Sequence, residues 1–146
     1  MDKTRSFDIT VIGGGPGGYV AAIRAAQLGA RVLIVEKEQL GGTCVNRGCI
    51  PTKAMLADAR LYDHVKSSSV LKAEGLRVDM KQLVARKNRV VKRMTTGVQF
   101  LIRDNGITFI QGKAKLIDRT TIEVAGEKES EQFKSQRIVI ATVTGA

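Results

Sequence analysis

Phe7-Asp8-Ile9-Thr10-Val11-Ile12-Gly13-Gly14-Gly15-Pro16-Gly17-Gly18 is the stretch on which the fold turns. Its first six residues are mostly apolar and β-branched, which predicts a strand. The glycines that follow end that strand. Pro16 suits the opening of a helix, because its fixed φ is already helical and its missing N–H would have had no partner there. The alanine-rich run from Gly17 to Leu28 predicts that helix, with Gly29 as its stop. Arg31 to Val35 then reads as a second short apolar strand. Strand, helix and strand form a βαβ unit, so the two strands lie parallel and the crossover is right-handed.

The glycines fit the pattern G-x-G-x-x-G, and each has a physical task. Gly13 makes the tight turn out of the strand. Gly15 has no Cβ, so a pyrophosphate can approach the backbone, and Gly18 lets the helix pack closely on the strands. Phosphates then meet the helix N-terminus, where free N–H groups and the dipole favour negative charge. Glu36 follows at the end of the second strand, placed to accept hydrogen bonds from ribose hydroxyls and to repel a 2′-phosphate. The competing reading is a glycine-rich turn with an ordinary surface glutamate. The strand–turn–helix context and the acidic residue favour the nucleotide. The pattern itself does not separate FAD from NAD, since both present an ADP moiety.

The chain has two cysteines, both in Gly41-Gly42-Thr43-Cys44-Val45-Asn46-Arg47-Gly48-Cys49-Ile50-Pro51-Thr52-Lys53. Residues five apart on one straight helix have Cα atoms roughly 8.5 Å apart, whereas a disulfide needs less than about 7 Å. A bonded pair must therefore straddle a break, which Gly48 and Pro51 supply. Three glycines in eight residues predict that Gly41 to Gly48 is irregular. Cys44 is then expected in that irregular segment and Cys49 at the mouth of the next helix. A thiolate at a helix N-terminus is stabilised by the dipole, so Cys49 suits the sulfur lying against a cofactor ring. Cys44 suits exchange with an external disulfide and should be the more accessible. The chain from Glu36 to Cys44 is long enough to reach the far end of a dinucleotide. The alternatives are small core residues, half a zinc site, or an incidental oxidation-sensitive pair. His64 is the one histidine, and no second cysteine pair exists to complete a zinc site.

Further along, a helix is predicted from Ile50 to about Val65, then a mostly polar loop over Lys66 to Glu74. Leu83, Val84, Val90, Val91, Met94, Val98, Leu101 and Ile102 recur at helical spacing between Asp79 and Asp104. Asp79 is a candidate N-cap, Asn105-Gly106 a stop, and Gly97 a candidate interruption. Ile107 to Ile110 reads as a short strand. Lys113–Ile117 and Thr121–Val124 read as a hairpin around Asp118-Arg119-Thr120. Gly126 to Gln132 reads as a charged turn, Phe133 as part of a short strand, and Arg137 to Ala141 as a buried strand. The expected class is α/β: a Rossmann-like FAD/NAD(P)-binding domain with a parallel sheet, crossover helices and a small antiparallel β-meander.

At 146 residues the chain fits one domain, with an aliphatic core because it has no tryptophan and few aromatics. No apolar signal core and no membrane-length run is visible, which sets a cytoplasmic expectation. A cytoplasmic cysteine pair is more often catalytic or metal-binding than structural. The net charge of +10 draws on Lys81, Arg86, Lys87, Arg89, Lys92 and Arg93. No aromatics interleave these charges and no nucleic-acid motif is present, so a solvated helix face is preferred to a nucleic-acid surface.

The glycine fingerprint, Glu36-Lys37 and the Gly41–Lys53 segment resemble the N-terminal part of the pyridine nucleotide–disulfide oxidoreductases. The Cys-Ile-Pro-Thr-Lys ending and the Ala21–Gly29 helix most resemble the dihydrolipoamide dehydrogenases, with glutathione and mercuric reductases as near relatives. The resemblance extends to about Thr142. It implies FAD as the bound dinucleotide, with Cys49 beside the flavin and Cys44 exchanging with a lipoyl-type dithiol. It implies that Lys53 lies near the flavin, that Gly42 and Thr43 contact the diphosphate, and that Gly112-Lys113-Ala114 contact the adenine. It further implies electron transfer to NAD and a homodimeric full-length enzyme; no nucleic-acid, membrane or metal partner is expected from the residues. His64 matches no catalytic base of the family and reads as a half-exposed helix residue. Two features depart from the pattern. Ala141-Thr142 is followed by Val143 where the family has glycine, and residues 1–146 match only the N-terminal FAD segment, without the NAD, second FAD and interface segments. A non-catalytic dinucleotide-binding remnant is the rival expectation.

Overall fold

The computed structural model describes residues 5–126 and 129–142. Its strands are β1 (Arg5–Ile12), β2 (Val32–Glu36), β3 (Thr108–Gln111), β4 (Lys113–Leu116), β5 (Thr121–Ala125) and β6 (Ser130–Ile140). Its helices are α1 (Pro16–Gln27), α2 (Gly42–Asn46), α3 (Cys49–Ser67) and α4 (Met80–Asp104). The sheet order is β3-β2-β1-β6-β5-β4. The β3-β2-β1-β6 pairs are parallel, and β6-β5-β4 are antiparallel. The fold is the expected α/β arrangement with a β-meander.

The two faces of the sheet bury separate sets of residues, as the period of two requires. On one face Val11, Val32 and Ile34 meet Ala22 of α1 and Val98 and Ile102 of α4. On the other, Leu33 and Val35 of β2 pack with Ile122 and Val124 of β5 and Phe133 of β6. The meander therefore folds back over the parallel sheet. Asp79 caps α4 by accepting from the Gln82 N–H at 3.0 Å, and the helix runs through Gly97 without a break. Nothing lies within 4 Å of a Cβ built at Gly97, so its glycine imposes no special backbone.

Three expectations are corrected. Gly42–Asn46 is a short helix rather than irregular chain, with Gly41 at φ 96° and Gly42 at φ 57° turning into it. The glycines shape its ends, and Thr43 to Asn46 complete one turn between them. Phe133 and Arg137 to Ala141 do not form two strands with a turn reaching Gln132, because β6 starts at Ser130 and is continuous. Its first half pairs with β5 and the whole of Phe133–Ile140 runs beside β1, so it changes neighbours without breaking. Its end is also not buried: Val139 and Ile140 are 38% and 64% exposed. The helices cover β1, β2 and β3 instead. The buried hydroxyls of Thr10 and Ser135 satisfy each other between β1 and β6.

The β4–β5 turn is tied by Asp118. Its carboxylate accepts from the N–H groups of Thr120 at 2.7 Å and Thr121 at 2.8 Å. These bonds, Thr120 first, hold its carboxyl down to about 2. A folded-state value below the ordinary carboxylate range, about 3.9, stabilises the fold above that range. The contribution is lost as pH falls through the folded value. Asp118→Asn should thus lower the thermal midpoint at pH 7, with the gap from the parent closing between about pH 4 and pH 2. A gap of constant size across that window in paired thermal melts would refute this role.

Candidate functional site

A cleft of about 280 Å³ opens where the C-terminal ends of β1 and β2 meet the first turn of α1. In open α/β sheets this end of the strands is the usual place for ligands. Gly13, at φ 109°, turns the chain out of β1, and its backbone lies against the backbone of Ala141 and Thr142. Gly18 lies beneath the turn, where any Cβ would collide with the Gly13 carbonyl oxygen. A Cβ at Gly15 would touch nothing within 4 Å, so this position faces open space. Gly13 thus makes the turn and Gly18 the close packing read from their spacing, and Gly15 leaves the space above it open. Across the cleft, a Cβ on Gly42 would come within 2.8 Å of the Gly15 Cα, so the two backbones close on each other. Pro16 occupies the first turn of α1, whose first N–H groups have no partners inside the helix.

Glu36 ends β2 inside the cleft. One carboxylate oxygen accepts from the Gly14 N–H at 2.7 Å and the other from the Glu38 N–H at 2.8 Å. Each oxygen keeps a further lone pair for a hydroxyl donor. Gly112 sits at the β3–β4 corner, where its N–H donates to the Glu36 carbonyl at 3.0 Å. A Cβ there would meet the Ala125 carbonyl oxygen at 2.6 Å, so only glycine fits.

The cleft brings together Gly13, Gly15, Glu36, Lys37, Gly42, Thr43, Gly112, Ala114, Ala141 and Thr142, all singled out from sequence. Gly18 supports it from below. Val143 lies outside the described residues. The sequence reading missed Asn46 and Arg47 from the cysteine segment, and Glu38 and Gln39 from its rim, while Lys113, named with Gly112 and Ala114, lines it. Arg47 pairs with Glu38 at 2.8 Å. Both side chains are largely exposed, so the pair adds little stability. Asn46 carried a legible signal: a polar side chain between two cysteines, in a segment that needs its backbone tied.

Cys44, Cys49 and Lys53 do not line this cleft but continue from it along the chain. Gly42 and Thr43 form the cleft wall, and Cys44 is the next residue of the same short helix. Cys49 is the first residue of α3. Both thiols are free, and the two helices that carry them, α2 and α3, pack against each other. The Cys44 thiol is pushed above its ordinary value, first by its hydrogen bond to Cys49 and then by burial. The Cys49 N–H and the Lys53 ammonium act the other way. The pair thus straddles a helix break, as the spacing required. Their accessibility is the reverse of expectation: Cys49 is exposed and Cys44 half-buried. Cys44 lies next to Val45, which is buried, whereas Thr52 and Lys53 beyond Cys49 are exposed with it. Lys53 is exposed one turn further along α3, and His64 is fully on the surface.

Several groups on the long helices serve packing. Arg86 of α4 donates to Asp58 at 2.7 Å and to the Ala54 carbonyl at 3.1 Å, joining α4 to α3. Among the described residues no cluster of three or more His, Cys, Asp or Glu could hold a metal ion, and no helix is long and apolar enough to cross a membrane.

Residues 7–145 match the family model described as pyridine nucleotide-disulphide oxidoreductase. The chain is 42% identical over 146 residues to a dihydrolipoyl dehydrogenase of Acholeplasma laidlawii, covering 98% of this chain and 42% of that protein. It is also 42% identical over 141 residues to a dihydrolipoyl dehydrogenase of Chlamydia pneumoniae, covering 95% of this chain and 30% of that protein. It thus spans less than half the length of these relatives. Among solved structures it resembles the HOCl-induced flavoprotein disulfide reductase RclA of Escherichia coli, seen as a Cu(II) complex. The TM-score is 0.80 and the identity 27%, over 95% of this chain and 29% of that one. With that model spanning nearly the whole chain, the chain belongs to the pyridine nucleotide-disulphide oxidoreductase family.

Proposed function

We propose that this chain is the FAD-binding segment of a dithiol–disulfide oxidoreductase of the dihydrolipoyl dehydrogenase type. The observation that carries the reading is the continuity of one short segment. Gly42 and Thr43 wall the cleft, and Cys44 follows them directly, with Cys49 opening the helix that packs against that turn. Gly15, Gly42, Thr43 and the start of α1 would hold a diphosphate, because Gly15 faces open space and the first N–H groups of α1 have no partner inside the helix. Glu36 would hold the adenosine ribose, with Lys37 beside it. Gly112, Lys113 and Ala114 would line the adenine, with Ala141 and Thr142 closing the far wall. Lys53 and Cys49 would face the flavin end.

The exchange at sulfur balances on its own. A substrate dithiol gives two electrons and two protons to a Cys44–Cys49 disulfide, which leaves the substrate as a disulfide and both cysteines as thiols. FAD in the cleft would supply the acceptor for that electron pair, with NAD beyond it in the complete enzyme. In this scheme a substrate thiolate attacks the Cys44 sulfur, the Cys44–Cys49 bond breaks with Cys49 leaving as the thiolate, and the second substrate thiol then displaces Cys44 from the mixed disulfide. A lipoyl-type dithiol is the substrate class, a homodimer the assembly of the full-length protein, and the cytoplasm its compartment.

The test is titration of the purified 146-residue chain with FAD, followed by flavin fluorescence and absorbance after gel filtration. We expect yellow protein with one flavin per chain. Colourless protein that retains no flavin at saturating FAD would overturn the reading in favour of a remnant that does not hold the cofactor.

A further inference from the structure

A helix as short as α2 does not hold itself together in water. It spans five residues and is entered through two glycines at positive φ, so its position must be imposed from outside. The Asn46 side chain does part of this. Its Nδ2 donates to the Leu40 carbonyl at 3.1 Å and the Gly42 carbonyl at 2.9 Å, using both amide protons. Those two acceptors fix which way the amide points, because turning it over would set oxygen against oxygen. Asn46 Oδ1 then faces α4, where the Thr95 hydroxyl donates to it at 2.9 Å.

Thr95 also lies 3.1 Å from the Val91 carbonyl, the usual partner of a hydroxyl inside a helix. It has one proton for two acceptors, and Asn46 competes for it. Thr95 is well anchored for this purpose. Val98 and Ile102, three and seven residues further along, lie on the same helix face and are buried against the sheet. On the far side of α2, the Gly41 N–H donates to the Gly14 carbonyl at 2.8 Å, and Gly14 donates to Glu36. A continuous line of hydrogen bonds therefore runs from α4, through the cysteine turn, to the nucleotide cleft.

We propose that Thr95 is a positioning residue for the dithiol: through Asn46 its hydroxyl fixes the Cys44 turn where closure onto Cys49 is easiest. The inference rests on the proposed function only in taking Cys44 and Cys49 as a couple that forms a disulfide. Thr95 lies 46 residues beyond Cys49 and touches neither sulfur in the hydrogen-bond network.

The experiment equilibrates the 146-residue chain with defined ratios of reduced and oxidised glutathione and counts free thiols. On closure the Cys44–Cys49 bond forms and the bond of oxidised glutathione breaks. Two electrons and two protons pass to two glutathione molecules. Thr95→Val keeps the side-chain shape and removes the hydroxyl. Its closure constant should fall about fivefold, the worth of one ordinary hydrogen bond. Thr95→Ser keeps the hydroxyl and should stay within about twofold of the parent. A valine variant equal to the parent would overturn the proposal, and so would a serine variant as impaired as valine. If the valine chain does not fold, Thr95→Ala set against Thr95→Ser makes the same comparison. A parent chain that forms no Cys44–Cys49 bridge at any ratio would defeat the dithiol reading itself, a different and recognisable failure.

Discussion

A methyl group added at Gly18 should cost the chain about 3 kcal/mol or more, whereas the same methyl at Gly15 should leave stability within about 1 kcal/mol and abolish FAD binding. The two glycines are three residues apart in one motif, and the structure gives them opposite roles. At Gly18 the new Cβ would land on the Gly13 carbonyl oxygen, which is backbone and has no flexible end to move aside. Gly13 cannot retreat, because it is held at φ 109° with the Ala141 carbonyl behind it. Relief requires α1 to lift from the sheet, which unpacks Ala22 from its buried cluster with Val11 and Ile34. At Gly15 the backbone is extended at φ −72° and ψ −178°, a conformation open to any residue, and the space is empty. Alanine there weakens the start of α1 slightly, since it is a poorer N-cap than glycine. Its methyl would project into the cleft where a diphosphate must approach the backbone. Thermal unfolding and FAD titration of both variants separate the two effects. A Gly15→Ala chain with parental FAD affinity would show that the diphosphate does not lie there.

Local chemistry made most of this architecture readable. Pro16 and the glycines placed the opening of α1, and Asp79 with Asn105-Gly106 bracketed α4, because caps and turns act over a few residues. Glu36 was found because its position depends only on the strand that carries it. What the sequence hid was long-range. The continuity of β6 depends on its having β5 beside one half and β1 beside the other, and no local pattern in Ser130 to Ile140 states that. Exposure of Val139 and Ile140 depends on where the helices lie, so an apolar run looked buried when it was not. The one-turn helix at Gly42 was obscured by its own glycines. Its stability comes from Asn46 and from Thr95, a residue almost fifty positions away.

The accessibility of the two cysteines gives the second large effect. In the nucleotide-free chain a bulky maleimide should label Cys49 at least about tenfold faster than Cys44, because thiolate content and exposure govern the rate. Cys49 is exposed at the start of α3, while Cys44 is half-buried and its thiol is pushed above its ordinary value, first by Cys49 and then by burial. Saturating FAD should invert the order. If the flavin lies against Cys49, as the proposed function requires, it covers the more open sulfur and leaves Cys44 as the one reached from solvent. Cys44 then becomes the exchanging thiol because the cofactor shields its neighbour, which backbone geometry alone does not do. This accounts for the reversal between the sequence reading and the structure: helix position marked Cys49 for the cofactor but did not bury it. Peptide mapping after brief labelling, with and without FAD, reads out both sulfurs. If FAD binds and Cys49 still reacts first at an unchanged rate, the flavin does not rest on that sulfur, and the path of electrons from Cys44 through Cys49 is wrong.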